Sequence, residues 1–397
     1  MTIAPNPFRP GNGLIPPYLA GRIKEIEEFE NIFLNQLPIQ SNLVLSGLRG
    51  VGKTVLLNAF KEKAIRKGWI WAGNDMSASA GVDEHTIGIR LITDISNALP
   101  EISLTFIGAS DLKVNFLVTE KYLTPKVVSA FYDKEPVLEV DKLKHTLELI
   151  WDNIKAKAKG VVIAYDEAQT LVDKPTDKQY PLSMLLEAIS HLQRKGIPYL
   201  LVLVGLPTLY PNLIACRTYS ERMFRQISLS NLSNTDSEDV ITKPLEELKE
   251  SIQIEGEDLV KIVQLSKGNP YFIQFLGKEV YDYYTQQKAI GSKKPKVIYE
   301  RIFSKLDDDF YQARYDRATE KQKSLLNIIS KVKGADEKFA VKDVINASKE
   351  FGQPLKSTAI ILMLISLMEI GLVFKNGRGQ YSFALPMFAQ FLIRKGN

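Results

Sequence analysis

The sequence holds one cysteine, Cys216, in 397 residues, so no disulfide can close within the chain. That scarcity fits a reducing compartment. Histidine is also rare: His85, His145 and His191 are scattered, and with a single cysteine they form no zinc-ligand spacing. Long apolar runs are lacking. The longest lies near residues 359–365, well below the roughly 18 residues a membrane helix needs. The first ten residues, Met-Thr-Ile-Ala-Pro-Asn-Pro-Phe-Arg-Pro, contain no apolar signal-peptide core. There is no Gly-x-Ser-x-Gly motif and no Cys/His pairing for nucleophilic hydrolysis. A cytoplasmic protein without a membrane segment is expected.

What is present reads as globular: 45% hydrophobic and 24% charged residues. The length exceeds one ordinary core and predicts two or three domains. The net charge of +5 is unevenly placed. Residues 318–397 carry twelve Lys+Arg against six Asp+Glu, so the rest of the chain is close to neutral.

Five prolines among residues 1–17 predict an extended arm. Residues 19–33 follow with Ile23, Ile26, Phe29, Ile32 and Phe33 at helical spacing. Apolar strands are then predicted at 42–46, 69–74, 160–165, 199–205 and 225–229. Helices are predicted at 53–67, 83–98, 141–158 and 183–195. Strands apolar throughout, alternating with helices, predict a parallel sheet covered on both faces, an α/β fold. Residues 99–137 are harder to read, with a hairpin around 114–118 as one reading. Beyond residue 230 the pattern is helical at 236–245, 257–266 and 270–289, with a linker at 290–296. Three helices within 318–370 precede a hairpin whose turn is Asn376-Gly377-Arg378-Gly379, the outline of a winged helix-turn-helix. The expected division is arm 1–17, α/β domain 18–230, helical lid 231–300 and winged-helix-like domain 301–397.

Residues Gly47, Leu48, Arg49, Gly50, Val51, Gly52, Lys53 and Thr54 match G-x-x-x-x-G-K-[ST], between a strand and a helix that continues through Val55. Such glycines let backbone N–H groups turn toward phosphates, at the positive end of a helix. Lys53 adds a point charge and Thr54 a hydroxyl for Mg²⁺. The apolar run Val161-Val162-Ile163-Ala164-Tyr165 ends in Asp166-Glu167, two carboxylates at the sheet edge where ligands bind in open α/β folds. Asp166 is the candidate metal anchor and Glu167 the candidate for polarising water. ATP or ADP with Mg²⁺ is the expected cofactor.

Together these motifs resemble the AAA+ P-loop ATPases, in the branch that holds origin-recognition proteins, helicase loaders, transposition ATPases and STAND proteins. Tyr18-Leu19-Ala20-Gly21-Arg22 is similar to the branch's "GRxxE" segment, which implies that Leu19, Gly21 and Arg22 line an adenine pocket. Leu203 to Thr208 is similar to the sensor-1 strand, with Thr208 the nearest polar candidate although it lies beyond Pro207. Ser220-Glu221-Arg222 resembles the arginine-finger segment. The resemblance implies that Arg222 reaches a neighbouring copy in a homo-oligomer; an ordinary surface arginine is the other reading. Gly268-Asn269-Pro270 resembles the lid element whose proline lies against the base. No arginine stands where many AAA+ proteins carry sensor 2.

The basic C-terminal region offers Lys356, Ser357, Thr358, Lys375 and Arg378 as DNA contacts. The third helix, rich in Ile, Leu and Met, has few side chains able to read bases. Two partners therefore stay open: DNA held by its backbone, or an unidentified protein. Two functions stay open as well. One is an ATP-hydrolysing switch acting on DNA or a protein–DNA assembly. The other is a STAND-like signalling or scaffold module with slow or no hydrolysis.

Overall fold

The computed structural model describes residues 5–11, 13–76, 83–99, 124–134, 136–248, 252–289, 297–377 and 379–396. The chain divides into two compact units. One comprises Arg22–Leu48 with Gly52–Ser230; the other comprises Met1–Gly21, Arg49–Val51 and Asn231–Asn397.

The first unit is built on a parallel five-stranded sheet: β1 (Asn42–Gly47), β2 (Ile70–Ala72), β3 (Val161–Tyr165), β4 (Tyr199–Gly205) and β5 (Phe224–Leu229), in spatial order β2-β3-β4-β1-β5. Every residue of β1, β3 and β4 is buried, as expected for strands covered on both faces. Edge strand β5 is only half covered, exposing Arg225, Gln226 and Ser228. The register sets Val44 beside Leu203 and Ile163 beside Leu201. One layer of helices comprises Glu84–Ala98, Glu139–Ile154 and Pro181–Arg194; their Leu91, Leu147 and Ile189 pack in one core with Ile163 and Leu201. Elsewhere Phe29 stacks on Phe60 at 4.2 Å between ring centroids and meets Trp71 edge-on.

Several boundaries differ from the sequence reading. The predicted 19–33 helix begins only at Ile23–Glu28 and continues as a π-helical turn, Phe29–Leu34. Gly21, at φ +63°, breaks it upstream. Strand β2 stops at Ala72 because Gly73 takes φ +104°, and any Cβ there would lie 2.1 Å from the Ala164 carbonyl oxygen. The suggested 114–118 hairpin lies outside the described residues. The neighbouring stretch contains a helix, Pro125–Lys134. A helix at Leu209–Cys216 follows β4 and was not read from the sequence.

In the second unit, the helices Asn234–Glu246, Gly256–Ser266 and Pro270–Ala289 pack together. The N-terminal segment is strapped onto the last of these. Asn6 Nδ2 donates to Lys278 O (3.0 Å) and Asp282 Oδ1 (2.7 Å), Arg9 N donates to Gln274 Oε1 (2.9 Å), and Phe8 is buried beside Tyr281. Further on come the helices Glu320–Ser330, Val341–Glu350 and Ser357–Glu369. They are accompanied by an antiparallel sheet of β6 (Phe339–Ala340), β7 (Val373–Gly377) and β8 (Gln380–Phe383), ordered β6-β8-β7. The Glu320–Ser330 helix opens with a reciprocal cap: Thr319 N donates to Gln322 Oε1 at 2.8 Å and Gln322 N to Thr319 Oγ1 at 3.4 Å. This order is consistent with the winged-helix outline. A closing helix, Phe388–Gly396, was not read from the sequence; it packs on Glu320–Ser330, with Phe388 and Phe391 against Tyr311. No described helix is long and apolar enough to cross a membrane.

Candidate nucleotide site

Strand β1 delivers the chain into the glycine loop at Gly47. The loop closes with Gly52 in the left-handed region (φ +92°), immediately before the helix Lys53–Arg66. A side chain at Gly52 would meet no atom within 4 Å. The glycine is therefore required by backbone conformation, not by space. Half-buried Val55 continues the first helical turn.

Lys53 is buried and its Nζ donates to Gly47 O and Leu48 O, each at 3.0 Å, so the ammonium sits against the loop. Thr54 Oγ1 donates to Asp166 Oδ2 at 2.5 Å, joining the helix start to the tip of β3. Asp166 is held there by backbone pairing, with Met76 N donating to Asp166 O at 2.8 Å and Asp166 N to Asn74 O at 3.3 Å. Burial pushes its carboxyl above the ordinary value. The Thr54 hydroxyl and the Glu167 amide pull it down, and the Glu167 charge pushes it up again. A buried carboxylate so placed is favoured by a nearby cation. Carboxylate and hydroxyl oxygens are also the donors Mg²⁺ takes. The side chains thus fit a Mg–nucleotide.

Glu167 occupies the left-handed region at φ +53°, uncommon for a non-glycine residue. Its amide donates to Asp166 Oδ1 at 2.8 Å. Its carboxylate accepts a short hydrogen bond from Gln169 Nε2. Gln169 Oε1 in turn accepts from Leu206 N at 3.0 Å, tying Glu167 to the segment just past β4. Gly205 has no room for a Cβ, which would lie 2.4 Å from Gln169 Oε1. Sequence reasoning missed Gln169; the signal was a long polar side chain two residues after the acidic pair. If this site turns over ATP as proposed below, Gln169→Ala should lower kcat about tenfold with KM nearly unchanged, because Gln169 bonds Glu167 and the Leu206 amide. Steady-state kinetics checks this; a change confined to KM would contradict it.

The remaining candidates are placed as follows. Thr208 is exposed at the head of the Leu209–Cys216 helix, and no hydrogen bond of its side chain is recorded among the described residues. Of the three arginines at 217–225, Arg217 pairs with Glu187 (3.5 Å) and Arg225 with Glu28 (2.5 Å). Arg222, on the short helix Ser220–Met223, is exposed and has no ion pair among the described residues. Arg22 is buried and donates to Ser230 O at 2.7 Å, linking the start of its unit to the residue after β5. In the other unit, Leu19 is half-buried beside buried Ala20, and Gly21 approaches Asp236. Pro270 begins its helix there. Around it Asn269 Nδ2 donates to Arg49 O and Tyr271 N to Gly50 O, both at 3.3 Å, within the same unit. Lys356, Ser357, Thr358 and Lys375 are all exposed. Arg378 lies outside the described residues.

A cavity of about 610 Å³ in the first unit is lined by Asp173, Ser183, Asn212, Cys216 and Arg217, among others. Ser183 Oγ donates to Asp173 Oδ2 at 2.5 Å and the Cys216 thiol donates to the same oxygen at 2.8 Å. Burial and that carboxylate push the Cys216 thiol up to about 12, so it stays protonated at neutral pH.

The sequence matches none of the curated proteins. Residues 308–392 match the family described as domain of unknown function DUF8462. Solved structures are similar over nearly the whole chain. A Walker-type ATPase of Pyrococcus abyssi superposes at TM-score 0.58 with 16% identity, covering 94% of this chain and 96% of that one. The Aeropyrum pernix ORC2 protein, in its ADPNP–ADP complexes, gives 0.58 and 16%, covering 97% and 95%. Its ADP form gives 0.53 and 14%, covering 98% and 96%. With the parallel sheet, the glycine loop after β1 and the acidic tip of β3, these likenesses establish that the chain has the fold of the AAA+ ATPases of the origin-recognition type.

Proposed function

We propose that the protein is a Mg–ATP-binding and ATP-hydrolysing switch acting on DNA or a protein–DNA assembly through its basic C-terminal region. The observation that carries the reading is the meeting of Thr54 with Asp166 at 2.5 Å, beside a buried Lys53 held on the loop carbonyls and Glu167 one residue on. A triphosphate with its metal requires these groups side by side. The Aeropyrum pernix relative is described with ADPNP and ADP, which supports a nucleotide here.

Bound Mg–ATP would supply the phosphoanhydride and the metal that neutralises its charge. In this reading Lys53 exchanges its loop carbonyls for phosphate oxygens, and Thr54 and Asp166 hold the metal. The loop amides face the phosphates, and Glu167, steadied by Gln169, orients and polarises the attacking water. Leu19, Gly21, Arg22 and Pro270 are proposed for the base. Thr208 has no observed bond supporting a sensor role. Arg222 is proposed to act in trans, adding positive charge at a neighbour's transition state. The domain boundaries read from the sequence, 18–230, 231–300 and 301–397, are retained as part of this proposal.

DNA contact would run through phosphates, with Lys356, Lys375 and Arg378 as cations and Ser357 and Thr358 as hydroxyl donors. The outward side of the Ser357–Glu369 helix carries no Arg, Asn or Gln, so little base reading is expected. Steady-state ATP turnover, titrated with duplex DNA at two salt concentrations, tests the proposal. Turnover should rise with DNA, less at high salt. Arg222→Ala should lower the stimulated rate at least about tenfold while leaving nucleotide affinity unchanged. No turnover under any condition, with nucleotide tightly held, would instead favour the slow signalling or scaffold module.

A further inference from the structure

The cavity of about 610 Å³ in the first unit takes no part in the nucleotide reading. Its lining comes from the segment 172–183 and from the end of the Leu209–Cys216 helix. A space of this size is in the range of small-molecule sites. The lining carries two opposite charges, and they do not pair with each other.

The negative charge is Asp173. Its carboxylate accepts from Ser183 N at 3.1 Å and from Ser183 Oγ at 2.5 Å, which fixes it at the start of the Pro181–Arg194 helix. It also accepts from the Cys216 thiol at 2.8 Å. Three of its roughly four acceptor positions are thus filled, each by an uncharged donor. No cation pairs with Asp173 among the described residues.

The positive charge is Arg217. Among the described residues its guanidinium reaches only Glu187, at 3.5 Å, and Lys144 already holds Glu187 at 2.9 Å. Arg217 Nε is buried without an acceptor. Half-buried Asn212 also lines the cavity, and its side chain has no recorded hydrogen bond among the described residues. The lining further includes Val172, Leu182 and the Tyr180 ring. Polar groups drawn partly out of water and left without partners carry a cost that a suitable ligand removes.

We infer that this cavity binds a free amino acid with a large apolar side chain. The α-ammonium takes the remaining acceptor position of Asp173. The α-carboxylate takes unbonded Nη hydrogens of Arg217, whose side chain is 41% exposed. Asn212 supplies a further donor and acceptor, and Val172, Leu182 and Tyr180 receive the apolar side chain. A simple anion would meet Arg217 but be repelled by Asp173, and a simple cation would have the reverse fault. A neutral apolar molecule would leave both charges unmet. The Cys216 thiol only steadies Asp173. Every residue involved belongs to one unit, and binding needs neither nucleotide nor ATP turnover.

Ligand-observed NMR titration of the full chain, without nucleotide, tests this with L-phenylalanine as the probe. Saturable binding is expected. Phenylethylamine lacks the carboxylate and 3-phenylpropionate lacks the ammonium, and each should bind at least about tenfold more weakly. Arg217→Gln should weaken L-phenylalanine by about that factor while leaving phenylethylamine unchanged. Asp173→Asn should also weaken L-phenylalanine, yet leave 3-phenylpropionate no weaker. Ala215→Trp, at an exposed position of the lining, should block all three ligands without removing either charge. Far-UV circular dichroism checks that each variant is folded. If Asp173→Asn unfolds, Arg217→Gln and the three-ligand comparison still decide. No saturable binding of L-phenylalanine at about 10 mM would overturn the inference. So would equal binding of all three ligands, or L-phenylalanine binding that Arg217→Gln leaves unchanged.

Discussion

Glu167→Gln should leave Mg–ATP affinity within about twofold of wild type and lower turnover by about 10²–10⁴-fold, the range of a lost general base. The amide keeps the size of the side chain and can still bond to Gln169, so the left-handed turn at residue 167 should persist. What is lost is the negative charge that draws a proton from water. Nucleotide binding by fluorescence and turnover by phosphate release separate the two effects. A variant that hydrolyses ATP at the wild-type rate would remove Glu167 from the chemistry.

Lys53→Ala should act on binding. The ammonium is buried and already desolvated against Gly47 O and Leu48 O, so it is preorganised for phosphate oxygens. A charge-assisted bond of this kind contributes about 1.5–3 kcal/mol, which predicts a loss of nucleotide affinity of about 12- to 140-fold. The loop carbonyls are solvated or bonded elsewhere once the ammonium is gone, so the fold should hold. Calorimetric titration with ATP checks the prediction; unaltered affinity would show that the ammonium does not face the nucleotide.

The parts of the fold that the sequence revealed are those governed by a single strong rule. The strands β1, β3 and β4 are buried on both faces, so their apolar runs could be read directly. Motif spacing and the parallel sheet placed Thr54 near Asp166, and Thr54 Oγ1 bonds Asp166 Oδ2, while Lys53 Nζ lies on the carbonyls of Gly47 and Leu48. The missed parts depend on tertiary context. The helix Leu209–Cys216 begins just after Pro207 and is short; Phe388–Gly396 is held by packing on a distant helix and follows a left-handed Met387. The helix read over 19–33 rested on apolar residues from Ile23 onward, and Gly21 at positive φ keeps residues 19–22 out of it. The only sequence signal for Gln169 was its place two residues after the acidic pair; its link to Leu206 arises when β3 and β4 pair.

The central claim is most directly tested by titrating the purified full chain with a non-hydrolysable ATP analogue, with Mg²⁺ and then without it. One site per chain is predicted, tighter with the metal, and that metal dependence should vanish in Asp166→Asn. No binding at millimolar analogue, or binding indifferent to both Mg²⁺ and Asp166, would contradict the account.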